Sequence, residues 1–168
     1  PAGRTFDAVI SGQSWHWIDP LAGAEKAAQV LRPGGRLAVF WNVFVPPVGL
    51  SEAMVAVYRQ VLPDPPFPIG GLMPGLEAYA TIFATTADGI QATGAFGEPE
   101  QWQFDWERTY TREEWLEQVP TFGGHSQFPP DILDQLMVGI GAAIDAVGGT
   151  FLMGYTAAVI TAVLNTAT

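Results

Sequence analysis

Residues 6–41 confine the fold of this chain more tightly than any other stretch. Phe6-Asp7-Ala8-Val9-Ile10 is a short apolar run of the kind that forms buried parallel strands. Ser11-Gly12-Gln13-Ser14 follows as a loop. Asp19-Pro20 then opens a helix, with Asp19 as N-cap and Pro20 at the first helical position. Leu21, Ala24, Ala27, Ala28 and Leu31 recur at helical spacing and make its packing face. Arg32-Pro33-Gly34-Gly35 ends it, since Pro33 cannot continue a helix and the glycines permit a turn. Leu37-Ala38-Val39-Phe40-Trp41 is a second apolar strand. Strand, helix, turn and strand make a βαβ unit with parallel strands and a right-handed crossover, so the chain is expected to be α/β.

The middle of the chain differs in texture. A helix is expected from Leu50 to Val61, then an irregular loop carrying Pro63, Pro65, Pro66, Pro68 and Gly70-Gly71, then a helix from Leu76 to Ile90. Such an insertion serves either as a lid or pocket wall or as a solvated linker. From Gln101, Trp102, Phe104 and Trp106 alternate with polar residues, a period-2 strand whose aromatic face is expected in the core. Thr111 and Glu114 form a capping box ahead of a short helix through Trp115 and Leu116. Pro130-Asp131 begins a helix carrying Ile132, Leu133, Leu136, Ile140 and Ile144, stopped by Gly148-Gly149. Phe151 to Leu164 reads as a strand, although its alanines leave a helix open.

Bulk properties exclude several function classes. The 168 residues suffice for one domain with a sizeable core. A formal net charge of -10, with Lys26 the only lysine, repels phosphate backbones, so nucleic acid is not an expected partner. A small or neutral substrate fits better. With no cysteine there is no disulfide, thiolate metal site or cysteine nucleophile, which agrees with a cytoplasmic protein. The longest apolar stretch, from Phe151 to Leu164, is broken by Gly154, Thr156 and Thr161 and falls short of the roughly 18 residues a membrane span needs. The chain opens on Pro1, a few residues before a strong strand signal, and so reads as a fragment.

Phe6-Asp7-Ala8-Val9-Ile10-Ser11-Gly12-Gln13-Ser14-Trp15-His16-Trp17 is similar to a signature of the class I S-adenosylmethionine-dependent methyltransferases of the small-molecule type. In that family a strand leads into a Ser/Ala-x-Gln-x-aromatic-His-Trp segment. Leu31-Arg32-Pro33-Gly34-Gly35-Arg36-Leu37 resembles the same family's turn into the next strand. Residues 5 to 42 match closely and 99 to 164 loosely; residues 43 to 98 do not match. The resemblance implies a Rossmann-like doubly wound sheet of which this chain is the C-terminal half. It would hold strands four to seven of seven, the last antiparallel. Residues 1–168 would then be one partial methyltransferase domain: a βαβ unit (1–42), a helical insertion (43–98) and a C-terminal strand pair with helices (99–168). The unpaired edge of the first strand would favour self-association.

The resemblance implies S-adenosylmethionine as cofactor and a small-molecule methyl acceptor. Ligands of open parallel sheets sit at the carboxyl ends of strands. Ser11, Gly12, Gln13 and Trp15 would face the cofactor there, with Gly12 letting the backbone approach it and Gln13 offering amide hydrogen bonds. His16 would line the pocket or act as a base, and Trp41, Asn42 and His125 would line the acceptor side. Each has a plain structural alternative: an ordinary loop, core tryptophans (favoured for Trp17), and a surface-loop position for His125. Two histidines so far apart suggest no metal site. A non-catalytic half-domain acting only in association is a competing expectation. A nicotinamide-dependent reductase is a weaker one, because Gly34-Gly35 leads from helix into strand, opposite to the order a pyrophosphate needs.

Overall fold

The computed structural model describes residues 3–63 and 76–166. Its strands are β1 (Phe6–Gly12), β2 (Leu31–Val45), β3 (Glu100–Thr111) and β4 (Thr150–Val163). Its helices are α1 (Pro20–Val30), α2 (Val48–Val61), α3 (Leu76–Ala92), α4 (Arg112–Gln118) and α5 (Pro130–Ala146). The expected elements are all present, and the open choice at 151–164 is settled as strand. All but the first residue of the expected loop over 63–71 lies outside the described residues, and with it most of the lid reading.

The strands form one sheet in the order β1-β2-β4-β3. β1 and β2 are parallel, with Val9 opposite Leu37 and Ile10 opposite Ala38. β4 runs against β2: the Leu164 amide donates to the Gly35 carbonyl (2.8 Å), and the Thr161 hydroxyl to that of Leu37 (2.8 Å). It also runs against β3, since Trp106 stacks on Tyr155 and Tyr110 on Phe151. The sheet is therefore mixed, with an antiparallel strand set between parallel ones.

The Arg32–Gly35 turn is absorbed into β2. Phe6 pairs with Leu31 but Ala8 with Arg36, so residues 32–35 bulge out of the ladder. Gly34 takes φ 76°, which glycine adopts without strain, and Arg32 ion-pairs with Asp7 across the bulge.

The chain divides into two compact units, and β2, β3 and β4 contribute residues to both. The first unit holds residues 1–43, 76–105 and 156–168. Asp19 caps α1 as expected, accepting from the Ala22 amide at 2.8 Å. Ala24 and Ala27 are buried, and α1 packs on α3 through small residues: a Cβ on Gly89 would lie 2.8 Å from the Pro20 carbonyl carbon. Leu21, expected on the packing face, is 39% exposed. The core of this unit joins Leu37, Val39 and Trp41 to Phe83, Ile90 and Ile160.

The second unit holds residues 44–75 and 106–155. The capping box is formed in full, with the Thr111 hydroxyl accepting from the Glu114 amide and the Glu114 carboxylate from the Thr111 amide. Leu50 and Met54 of α2, Trp115 of α4, Leu136 and Ile140 of α5, and Met153 of β4 share its core.

The aromatic stripe of β3 is a correction. Trp102, Phe104 and Trp106 are 38%, 57% and 41% exposed rather than core. β3 is an edge strand whose residues from Glu100 to Thr109 are exposed on both faces. Alternation records that one face is apolar, not that anything covers it. The rings find local partners instead: the Arg36 guanidinium lies 5.2 Å from the Trp102 ring, and Trp106 stacks on Tyr155 at 4.1 Å.

Candidate functional site

The loop leaving β1 folds back onto the carboxyl end of β2. Gln13 adopts φ 54°, unusual for a residue with a side chain, and its amide donates to the Phe40 carbonyl at 2.9 Å. Its side-chain amide donates to the Asn42 carbonyl at 3.3 Å. Ser11 and Ser14 join hydroxyls at 2.9 Å across the turn. Gln13, in the loop after β1, and Asn42, near the end of β2, thus share one rim on two adjacent parallel strands.

Gly12 lies directly beneath an aromatic ring of β2. The space its Cβ would fill is held by the Phe40 ring, with Cζ only 2.7 Å away. A side chain at this position would press on the Phe40 ring.

Residues Trp15–Trp17 form one turn of 3-10 helix. Trp15 is buried, and its indole N–H finds no hydrogen-bond partner among the described residues. Trp17, expected in the core, is 75% exposed. His16 lies between them on the outer side, and Trp41 reaches it from β2, its indole Nε1 donating to His16 Nδ1 at 3.2 Å. Trp41 was expected to line the acceptor pocket; it is fully buried, against Phe83 at 5.5 Å between rings. Partial burial pushes the His16 pKa below its ordinary 6.5, which favours the neutral ring that this bond requires.

Trp15 and His16 open onto a cavity of about 200 Å³ lined also by Ile18, Pro20, Thr81, Ile82, Thr85 and Thr86. The threonines of α3 escaped the sequence reading. They lie in a stretch with no motif, and only the packing of α3 on α1 brings them to His16.

His125, expected in a surface loop or reaching the acceptor pocket, is fully buried in the second unit. Its Nε2 bonds the Tyr58 hydroxyl at 2.8 Å, among the rings of Phe122 and Phe128. Burial lowers its pKa, opposed by hydrogen bonds that the ring donates to the backbone of Gly123 and Phe122, and raises that of Tyr58. No group of three or more His, Asp or Glu residues that could hold a metal ion occurs among the described residues. No helix among them is long and apolar enough to cross a membrane.

Comparison with known proteins bears most directly on residues 2–39. Residues 2–39 match the family model described as a methyltransferase domain. Over 39 residues the chain is 56% identical to an uncharacterized methyltransferase of Mycobacterium bovis, and to another of Mycobacterium tuberculosis. That match takes in 23% of this chain and 16% of each relative. A solved structure from Anaeromyxobacter dehalogenans, provisionally assigned as a type II methyltransferase, superposes with a TM-score of 0.60 at 16% identity. It covers 97% of this chain, which spans 66% of that one. The resemblance carried by Phe6–Trp17 and Leu31–Leu37 is thereby supported independently, and the fold is α/β with a mixed sheet that resembles the one in that structure. S-adenosylmethionine is the donor this family uses.

The rim meets the needs of such a donor on one side only. It offers the amide of Gln13, the hydroxyls of Ser11 and Ser14 and the imidazole of His16. No residue of 11–16 or 40–42 carries a carboxylate for ribose hydroxyls, and the cavity at His16 excludes Ser11, Gly12, Gln13 and Asn42. The described residues do not by themselves enclose the cofactor.

Proposed function

From this likeness we propose that the chain is the C-terminal portion of an S-adenosylmethionine-dependent methyltransferase domain acting on a small molecule. In this reading β1, β2, β3 and β4 are the fourth, fifth, sixth and seventh strands of the family's sheet. The order β1-β2-β4-β3, with β4 antiparallel, supports that numbering. The observation that carries the functional reading is the rim itself. Gln13 is tied to Phe40 and Asn42, so the loop after one parallel strand and the end of the next form a continuous polar edge where open sheets bind ligands.

Ser11, Gln13 and Asn42 would face the donor in this reading, and Trp15 and His16 the acceptor. The acceptor is a small, largely apolar molecule, because the cavity at His16 combines Trp15, Ile18, Pro20 and Ile82 with a few hydroxyls. The acidic net charge of -10 disfavours a polyanion. Transfer of a methyl group from a sulfonium to an acceptor asks for positioning more than covalent help from the protein.

Titration calorimetry of the chain with S-adenosylmethionine, and with reduced nicotinamide cofactor as control, tests the proposal. Heat with the former that weakens at least tenfold in Gln13→Ala supports it. Heat only with the nicotinamide overturns it. The half-domain reading is favoured by the one-sided rim, and silence toward both cofactors, with unchanged folding by circular dichroism, would select it.

A further inference from the structure

We propose that Trp41 is a positioning residue that locks His16 as the neutral Nε2–H tautomer. His16 then presents a hydrogen-bond donor to the adjoining cavity and selects a ligand bearing a neutral oxygen acceptor, such as a carbonyl. This rests on reading that cavity as the acceptor side of the site.

Indole Nε1 is a donor only, so the nitrogen facing it at 3.2 Å must offer a lone pair. His16 Nδ1 is therefore unprotonated, and the one proton of the neutral ring sits on Nε2. A proton on Nδ1 would set two N–H groups against each other and leave the indole N–H of a fully buried tryptophan without its acceptor. Trp41 cannot turn away to relieve this, because it is held among Phe83 and the other core side chains of β2 and α3.

With Nδ1 turned onto Trp41, the Nε2 edge is the part of the ring left to face outward, and His16 lines the 200 Å³ cavity with Thr81, Thr85 and Thr86. A donor imidazole beside hydroxyls that can also donate, in an otherwise apolar pocket, suits an oxygen acceptor. An uncharged ring in a chain of net charge -10 suits a neutral ligand over an anion. The arrangement also removes His16 as a general base: its only basic nitrogen is occupied by Trp41, and the outward nitrogen already carries its proton.

Long-range ¹H–¹⁵N correlation spectra of the whole chain at pH 7.5 read the tautomer directly, with no ligand and no variant. The expected result is a pyridine-type Nδ1 and a pyrrole-type Nε2 in His16. The minor tautomer should be roughly a tenth to a third, as one part-buried hydrogen bond allows. Equal tautomers, or a protonated Nδ1, overturn the proposal even if methyl transfer is later demonstrated. In Trp41→Phe the tautomers should mix; if that variant does not fold, the wild-type spectrum still decides. Cyclohexanone, used as the probe, should shift His16 Nε2 and the Thr85 signals while cyclohexylammonium leaves them in place. The reverse order of response overturns the ligand class but leaves the cofactor reading at the rim standing.

Discussion

A buried histidine makes the strongest residue-scale demand in this chain. His125 is enclosed with its Nε2 on the Tyr58 hydroxyl, so Tyr58→Phe leaves a buried polar atom without that partner. A loss of about 1–3 kcal/mol in urea unfolding is expected. An undiminished midpoint would show that the bond contributes nothing. The pKa of His125 is lower folded than its ordinary 6.5, so the unfolded chain binds more protons between the two values. The stability it contributes is complete above about pH 6.5 and is lost as pH falls from there through the folded value. His16 shifts in the same direction. Unfolding midpoints from pH 7.5 to 5 should therefore fall, and fall less in His125→Asn; a flat profile for the parent chain contradicts this. Neither histidine's surroundings could be read locally. Phe122-Gly123-Gly124-His125 looks like a surface loop by composition, yet the backbone turns the ring inward onto a tyrosine 67 residues away in sequence.

Helices and strands obeyed local signals where those signals act through the backbone. Asp19, Pro20, Thr111, Glu114 and Pro130 start helices because caps and proline satisfy or remove orphan N–H groups whatever lies beyond. Thr111→Ala is expected to cost about 0.5–2 kcal/mol, measured by thermal or urea unfolding, since both arms of the box depend on it. Glycines inside helices separate propensity from packing. A methyl group at Gly49, near the start of α2, would meet nothing within 4 Å, so Gly49→Ala should stabilise by up to about 1 kcal/mol. Gly89 in α3 would put the same methyl 2.7 Å from Pro20 Cβ. There the clash outweighs the propensity gain, and Gly89→Ala should destabilise by about 1–3 kcal/mol. Equal effects of the two substitutions would refute this assignment of the α1–α3 contact. The stripe on β3 went the other way, because alternation in Trp102, Phe104 and Trp106 is a property of one strand, whereas burial needs a second layer.

At the scale of the whole molecule the sheet ends in β1 on one side and β3 on the other. β1 pairs only with β2 among the described strands, and its Ile10 is 67% exposed. An apolar, parallel-type strand with a free edge is a template for further pairing. We expect concentration-dependent association in sedimentation velocity, weakened by Ile10→Lys. A sharp monomer over a hundredfold concentration range would remove β1 as an association surface.

What the sequence determined alone was everything short-range: the βαβ order of residues 6–41, the helix caps, and the resemblance carried by Ser11–Trp17 and Leu31–Leu37. These depend on neighbours within a few residues, where backbone hydrogen bonding and steric limits leave few options. Tertiary structure decided which side chains face which: Phe40 over Gly12, Trp41 on His16, the α3 threonines at the cavity, and Tyr58 on His125. Such pairings join residues tens of positions apart, and packing chooses among them by shape and by the cost of burying an unpaired polar group.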